Sequence, residues 1–414
     1  MIDARLLESL DNATKDCISC GFCESVCPTL PASDYDLSRG ARGRVLLGRA
    51  LYKDLKEKGA TEVNVADSFY SCLDCFACVH VCPAGVNAGE VSDIAKEIIT
   101  ATGSPLESQK KNVATMIVNS TMKYGNPLGL RKKAASWSEG LEFDGSSKTL
   151  LYTGNMYQLM PFSKSMGAMK AKLGNRAAER IAGYFKSHPQ FIKLSGMFQD
   201  RTTREEMENS LRNIYALLRK SGADFNYLGE KEPYPGTFLY DLGYMEEFKE
   251  YANTVADLFR SEGVRRIITI DPHTHNVLKN NYPGVVKNFD FEIVYYLDLL
   301  DNKMFEPGEE DIEYHEPCYF TLREPVYREP EKTLSLAGNV HKPRRSGKNN
   351  FCCGGPSELL YPELAHSVSE RRREQLEAGR GRRVVTACPI CYANLNRDRD
   401  VTDIANYLSE HIKG

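Results

Sequence analysis

The segment Arg383-Val-Val-Thr-Ala-Cys-Pro-Ile-Cys391 joins a short apolar run to a Cys-x-x-Cys motif, which predicts a strand that ends at two metal-ligating thiols. Three more cysteines precede it, Cys318 and the adjacent pair Cys352 and Cys353, and two glycines follow the pair. A disulfide framework is excluded because adjacent cysteines rarely bridge and five is an odd number. Thiolates select iron–sulfur clusters or zinc, and a zinc site uses only four of them. The set therefore predicts an iron–sulfur site, with structural zinc and one spare thiol as the alternative.

The composition of the chain narrows its class. It has 414 residues, thirteen cysteines and a net charge of −3, and its length suits two or three domains. No basic block dominates, so nucleic-acid binding is not indicated. No apolar run approaches the ~20 residues that span a bilayer, and the first residues lack the apolar core of a signal peptide. We therefore expect a cytoplasmic protein, or one peripheral to the inner face of the membrane, whose cysteines bind metal in a reducing compartment.

Two cysteine runs near the N-terminus have the same spacing, Cys-x-x-Cys-x-x-Cys-x-x-x-Cys-Pro. This is the spacing of bacterial two-cluster ferredoxins, in which the fourth cysteine of each run binds the other cluster. Two zinc knuckles are the alternative, although zinc would not need this form. One predicted 4Fe-4S cubane has the ligands Cys17, Cys20, Cys23 and Cys82, and the other has Cys72, Cys75, Cys78 and Cys27.

Several side chains near these motifs are candidates for tuning the clusters. The segment from Arg39 to Arg49 contains four arginines, counting both ends, which would pack beside the clusters and offset the negative charge of thiolate-bound iron. His80 and His315 are candidates for hydrogen bonds to sulfur, with ordinary packed histidines as the alternative. The chain has no glycine-rich nucleotide or flavin motif, so we expect its electrons to come from a partner.

The C-terminal cysteines resemble the CCG domain of the superfamily that contains the B-type and D-type subunits of heterodisulfide reductase. That superfamily also includes the iron–sulfur subunits of glycolate oxidase and of anaerobic glycerol-3-phosphate dehydrogenase. The resemblance extends from Cys17 to about Leu408. It implies that a non-cubane 4Fe-4S cluster is held, as the reactive site, by Cys318, Cys352, Cys353, Cys388 and Cys391.

The apolar pattern changes at Lys148. From there short apolar runs alternate with amphipathic segments, which predicts an α/β arrangement, whereas residues 84–136 are helical in pattern and 137–147 form a polar linker. The predicted strands are 149–153, 266–270, 291–295 and 383–386, and the predicted helices are 203–221, 245–262 and 356–377. We therefore expect an α+β multidomain chain with a helical two-cluster ferredoxin-like domain at 1–147 and two further domains at 148–308 and 309–414.

The domain at 148–308 repeats the C-terminal one without its cysteines. The run Arg265-Arg-Ile-Ile-Thr-Ile-Asp-Pro-His-Thr matches Arg382-Arg-Val-Val-Thr-Ala-Cys-Pro-Ile-Cys, so Asp271 and Thr274 replace two ligands. The other ligand positions hold Tyr234-Pro235-Gly236 and Gly154-Asn155. The chain is thus predicted to contain two pseudo-repeated CCG halves, the first degenerate.

Two features of the degenerate half remain open. Asp271, His273 and His275 would suit a metal or quinone site, or they are remnants satisfied by hydrogen bonds. The insertion at 155–198 is basic and contains Met156, Met160, Met166, Met169 and Met197. Such a segment favours an adaptable partner surface or an anionic membrane face, with a surface helical hairpin as the alternative.

Two functions are compatible with these motifs. In the first, favoured by the fifth thiolate, the chain is an oxidoreductase subunit that resembles the D-type subunit of heterodisulfide reductase and acts on a thiol or disulfide substrate. In the second, it transfers electrons from a flavin-containing 2-hydroxyacid or glycerol-3-phosphate dehydrogenase toward quinone. A membrane cytochrome or quinone-reactive subunit is the other expected partner.

Overall fold

The computed structural model describes residues 3–59, 65–103, 108–162, 199–324, 327–377, 381–396 and 401–413. Helices dominate the residues before 148, and helices mixed with parallel strands follow. The expected combination of a helical region with a mixed helix and sheet region is therefore confirmed.

The N-terminal region is built on a helix at 41–58 that packs against the helices at 4–14 and 88–102. Gly48 permits the close approach, because a Cβ atom there would lie 2.8 Å from Val91. The helices of this region are Ala4–Thr14, Thr29–Ala32, Ala41–Lys58, Ala66–Tyr70, Ala88–Thr102, Ser108–Tyr124 and Arg131–Ala134.

The first sheet has three parallel strands in the order β1 (Thr149–Tyr152), β2 (Arg266–Thr269) and β3 (Glu292–Tyr295). All three strands were predicted within one residue of these bounds. Tyr152 packs edge to face on Phe259, with the ring centroids 5.2 Å apart. The helices that accompany this sheet are Arg201–Lys220, Thr237–Asp241, Met245–Ser261, Pro272–Asn276 and Tyr282–Val285.

The second sheet has four parallel strands in the order β5 (Asn339–His341), β4 (Asp311–His315), β6 (Arg383–Thr386) and β7 (Val401–Asp403). The sequence predicted only β6. Strand β4 was not predicted because the charged residue Glu313 interrupts its apolar pattern. In the structure Glu313 is buried and accepts from Arg382 at 3.1 Å. The accompanying helices are Glu329–Leu334, Pro362–Glu377, Pro389–Leu395 and Ile404–Ser409.

The predicted helix at 356–377 starts too early. Gly355–Ser357 forms a short 3₁₀ turn, and the α-helix begins at Pro362. Proline suits this first helical position because the amide it lacks would have no partner there. The loop after the cysteine pair thus extends six residues further than the sequence indicated.

The predicted polar linker at 137–147 begins with a buried residue, and the rest of it is half-buried or exposed. The Trp137 side chain is buried, and its ring centroid lies 5.1 Å from that of Tyr227 and 6.2 Å from that of Phe143. Met156 and Met160 are also buried, so this part of the predicted surface insertion is wrong. Met166, Met169 and Met197 lie outside the described residues.

The N-terminal region and the second sheet are in direct contact. The Tyr361 hydroxyl donates to the Asp67 carboxylate at 2.6 Å, and Arg371 donates to the Pro31 carbonyl at 2.9 Å. Arg345 donates to the carbonyl of Val26, one residue before a predicted cluster ligand, at 3.1 Å. These contacts place the ferredoxin-like cysteines against the C-terminal cysteine set.

Candidate iron–sulfur sites

Four thiols of the N-terminal runs line one small cavity. The cysteines are Cys17, Cys20, Cys23 and Cys82, and Cys27 does not line it. The loop between the first cysteines turns through left-handed conformations at Ser19 (φ 57) and Gly21 (φ 84). This geometry fits a cluster whose fourth ligand comes from the other run, as the spacing predicts. We refer to these four residues as the outer site.

Cys27 lies near Cys23 of its own run and also near the thiols of the second run. Burial raises the pKa of the Cys78 thiol to about 12, and the thiolates of Cys72 and Cys27 are the next largest causes. Arg44 is buried beside them, with its Nη1 3.8 Å from Cys27 Sγ. We refer to Cys72, Cys75, Cys78 and Cys27 as the middle site.

Arg44 is fixed by its other hydrogen bonds. Its guanidinium donates to the Ser68 carbonyl at 2.7 Å and to the hydroxyls of Thr29 and Ser71, each at 3.1 Å. A buried, permanently charged guanidinium favours thiolates nearby. The predicted role of the arginine segment in offsetting negative charge therefore fits Arg44.

The five C-terminal cysteines are all buried and lie at the ends of the second sheet's elements. Cys318 precedes a π-helical turn, Tyr319–Arg323, a rare form that is common at functional sites. Cys388 follows β6 and caps the helix Pro389–Leu395, with its Sγ accepting from the Cys391 amide at 3.5 Å. We refer to this set as the inner site.

At each of the two glycines after the cysteine pair, a larger residue would clash with a different part of the chain. Gly354 has φ 90 and a Cβ atom there would lie 2.5 Å from the Ala365 carbonyl oxygen. A Cβ atom on Gly355 would overlap Ile390, the residue between Cys388 and Cys391. Gly355 therefore lets the cysteine pair approach the Cys-x-x-Cys helix, and Gly354 lets the same turn pack against the helix that contains Ala365.

His315 reaches the inner site with a defined tautomer. Its Nδ1 accepts from Arg372 Nε at 3.0 Å, so the proton is on Nε2, and the ring lies within 4.8 Å of the sulfurs of Cys353 and Cys391. Hydrogen bonds from Cys352 and Cys391 hold the pKa of the Cys353 thiol well below its usual range, and His315 Nε2 has no hydrogen-bond partner among the described residues. The hydrogen bond from His315 to sulfur stays a prediction. Arg372, which lies in an ordinary helical pattern, was missed.

His80 fits the alternative given for it, an ordinary packed histidine. Its Nε2 bonds to the Leu322 carbonyl at 2.7 Å, so it joins the N-terminal region to the π-helical turn. Its hydrogen bond is therefore structural, and no sulfur partner is found for it among the described residues.

The middle and inner sites meet across a buried junction. Burial raises the pKa of the Cys75 thiol, and Cys318 is the next largest cause. Arg323 lies 4.0 Å from the ring centroid of Phe76 and 4.3 Å from that of Tyr319, and it donates to the Asp74 carbonyl at 2.7 Å. This junction could not be read from the sequence because its residues are far apart in the chain.

The degenerate half has no thiols at the corresponding place. Tyr234 is fully buried there, and a Cβ atom on Gly154 would overlap Thr274. Asp271 Oδ1 accepts from the amides of His273 and Thr274, each at 2.9 Å. Tyr234, Gly154 and Thr274 are therefore closely packed, and Asp271 caps the helix Pro272–Asn276.

The predicted trio of Asp271, His273 and His275 does not converge. The His273 ring lies over Tyr319, with the centroids 4.0 Å apart, whereas His275 Nδ1 bonds to the Thr269 hydroxyl at 2.8 Å. Within the described ranges, the one group with metal-site spacing is His315, Cys353 and Cys391. A metal site on the trio is therefore not supported.

No helix among the described residues is both long and apolar enough to cross a membrane.

Comparison with known proteins finds family matches to both cysteine-bearing regions. Residues 13–86 match the 4Fe-4S dicluster domain family, and residues 312–396 match the Cysteine-rich domain family, named CCG. A probable iron-sulfur-binding oxidoreductase, FadF, of Bacillus subtilis is 23% identical over 92% of this chain and 56% of its own length. This chain therefore spans just over half of that relative.

Two relatives are matched over most of their length. The D subunit of dihydromethanophenazine:CoB–CoM heterodisulfide reductase of Methanosarcina barkeri is 23% identical over 99% of this chain and 97% of its own. A probable glycolate oxidase iron-sulfur subunit of Bacillus subtilis is 23% identical over 91% of this chain and 87% of its own. With both cysteine-bearing regions matched and both kinds of relative found, the chain carries a 4Fe-4S dicluster domain and a CCG domain and is similar to iron–sulfur subunits of oxidoreductases.

Proposed function

We propose that the chain is the iron–sulfur subunit of a larger oxidoreductase, with a 4Fe-4S cubane at the outer site, a second at the middle site and a non-cubane 4Fe-4S cluster at the inner site. When bound, these clusters supply one-electron transfer. The proposed domains are 1–147, 148–308 and 309–414, and only the last of the two CCG halves holds a cluster.

The order of the three sites carries this proposal. Cys20 of the outer site is exposed, Cys27 and Cys82 cross between the outer and middle sites, and Cys75 of the middle site faces Cys318 of the inner one. The chain thus arranges its thiols in a row from the surface to the interior. Such a row suits a subunit that exchanges electrons with a partner at one end and acts at the other.

The outer site lies beside an exposed apolar face. Ile18 and Phe22 lie in the first cysteine loop and are 68% and 60% exposed. Tyr35 and Leu37, 67% and 58% exposed, lie just before Arg42, whose side chain lines the outer cavity. Exposed apolar clusters mark interaction sites. This face is the proposed docking site for a flavin-containing dehydrogenase or for a membrane cytochrome or quinone-reactive subunit.

Support for a repeated architecture comes from the sheets. The order β1-β2-β3 parallels β4-β6-β7, and Asp271 after β2 caps its helix as Cys388 does after β6. We infer that the two sheets are pseudo-repeats, and that the first contributes to packing of the fold but holds no cluster.

Removing a ligand of the middle site should slow the transfer of electrons to the inner site. In Cys75→Ala we expect the outer cluster to be reduced by methyl viologen radical as in the unaltered chain, and the inner cluster to be reduced much more slowly, because its thiols are buried. Freeze-quench electron paramagnetic resonance measures the rate at which each cluster is reduced. The variant Cys20→Ala, which removes one ligand of the outer site instead, is the matched comparison. An inner signal that appears at the original rate in Cys75→Ala would contradict the proposed order.

Thiol or disulfide chemistry at the inner site is the second candidate. The observation that favours it is the number of thiols, because five buried cysteines surround a site for which four would suffice. Their burial limits the substrate to a small molecule, since a protein disulfide could not reach them. This reaction resembles the one in the name of the Methanosarcina relative.

A thiol should reveal whether this reaction occurs. If it does, oxidation of the anaerobic protein with 2-mercaptoethanesulfonate present should give a paramagnetic signal that is absent without the thiol, and Cys353→Ser should abolish it while the cubane signals remain. Spectra with and without thiol provide the comparison. Identical spectra would leave electron transfer as the function and remove the disulfide reaction.

A further inference from the structure

An apolar cavity of about 100 Å³ lies where the three parts of the chain meet. Its walls come from the helix Ser108–Tyr124, from the segment 156–162 and from the loop 355–360 that follows the cysteine pair. Met116, Met156 and Met160 line it. Methionine side chains adapt to a ligand's shape, and an apolar cavity of ~150 Å³ binds a benzene ring. The present cavity is smaller than that, so a ring would enter as the side chains of Met116, Met156 and Met160 rearrange.

The cavity lies between the middle and inner sites. Cys72 of the middle site is part of its wall. On the other side are Gly355, Ile390 and His273, and Gly355 and Ile390 are in the two segments that carry the inner cysteines. A molecule bound here would contact protein segments of both sites. This position favours a ligand that accepts or donates electrons.

The polar groups of the cavity are few and mostly paired. Lys96 Nζ donates to Asp74 Oδ2 at 2.6 Å, to Asp93 Oδ1 at 3.1 Å and to the Asp241 carbonyl at 3.1 Å. Its cation is thus already offset by carboxylates, and an anionic ligand would meet the side chains of Asp74 and Asp241 in the wall. The ligand class indicated is uncharged.

Two buried groups remain available to such a ligand. Asp74 Oδ1 has no hydrogen-bond partner among the described residues. The ring of His273, which is buried and lies over Tyr319, also lines the cavity. Buried polar groups of this kind normally find a partner. One acceptor and one imidazole match the carbonyl and hydroxyl groups that a quinone exchanges on reduction.

We propose that this cavity binds the ring of an uncharged, lipophilic quinone, with the isoprenoid or alkyl tail leaving through its open side. The proposal rests on the proposed function, which supplies the electrons. Reduction consumes two electrons, delivered singly by the clusters, and two protons, and it converts both carbonyls to hydroxyls. His273 would donate to a quinone carbonyl, and Asp74 Oδ1 would accept from a quinol hydroxyl. Asp241 in the wall provides a carboxyl for proton passage, and burial raises its pKa to about 7.

Binding of decylubiquinone to the anaerobic holoprotein tests the proposal without any turnover. Equilibrium dialysis should show one saturable site, and decylbenzene, which has the ring and tail but no carbonyls, should bind more weakly. Leu359→Trp, which places a large ring at the half-buried wall residue Leu359, should abolish binding. Leu336→Trp, at a half-buried leucine away from the cavity, should leave it unchanged.

Iron content, measured for each variant, shows whether the fold is intact. If Leu359→Trp loses iron, a photoreactive azidoquinone on the unaltered protein replaces it, and labelling of the peptide with Met116 or Met160 is expected. Absence of saturable binding, labelling elsewhere, equal affinity for decylbenzene, or unchanged binding in an iron-replete Leu359→Trp overturns the quinone site. The proposed function fails separately, through loss of electron transfer from methyl viologen radical to the inner cluster.

Discussion

Replacing Cys388 with alanine should lower the iron content of the anaerobically purified chain from about 12 to about 8 atoms, because three 4Fe-4S clusters are expected and one would lose a ligand. Cys388 is buried and its backbone begins the helix that carries Cys391, so no other thiol among the described residues can replace it. Iron and acid-labile sulfide assays with zinc analysis measure the change.

Asp271→Asn is the matched control for this variant. Asp271 occupies the equivalent helix cap in the first sheet, and asparagine preserves that cap. Iron content should stay unchanged, since that half has no thiols. Loss of about 4 irons in Asp271→Asn would show that the degenerate half holds a cluster. A starting content of about 8 irons with one zinc would overturn the inner-site assignment.

Replacing Lys96 with methionine should destabilise the chain by about 3–5 kcal/mol, because removing one partner of a buried ion pair leaves an uncompensated charge. The Lys96 side chain is 3% exposed and its partner Asp74 is 6% exposed, so water cannot solvate the carboxylate that remains. Asp74 lies in the loop between Cys72 and Cys75. We therefore expect the middle cluster to be released at a lower urea concentration, as measured by visible absorbance.

Lys58→Met provides the comparison for this second variant. Lys58 pairs with Asp54 at 3.3 Å on the same region's surface, where its side chain is 54% exposed. An exposed pair contributes about 0–1 kcal/mol, so the urea midpoint should barely change. Equal midpoints for Lys96→Met and Lys58→Met would show that the buried lysine is not required to hold the cysteine loop.

The electron-transfer elements were largely predictable because cluster ligation depends on local spacing. The two runs at 17–27 and 72–82 predict ligands that cross between them, and in the structure Cys82 lines the outer cavity while Cys27 lies near Cys78. Strands β1, β2, β3 and β6 were predictable because each is a short apolar run with polar flanks. Strand β4 was not, since its Glu313 is buried only by virtue of its pairing with Arg382.

Sequence alone therefore determined the spacing of the cysteines and the absence of cysteine at Asp271 and Thr274, and it predicted how the cysteines group into sites, because each follows from residues that are neighbours in the chain or repeat at a constant interval. Only the tertiary structure decided that Cys75 faces Cys318, that Arg372 sets the tautomer of His315 and that an apolar cavity lies between the middle and inner sites. Those features arise where distant segments meet, as when His80 bonds to Leu322. Which distant residues come into contact depends on how the whole chain packs, and this cannot be read from a local sequence pattern.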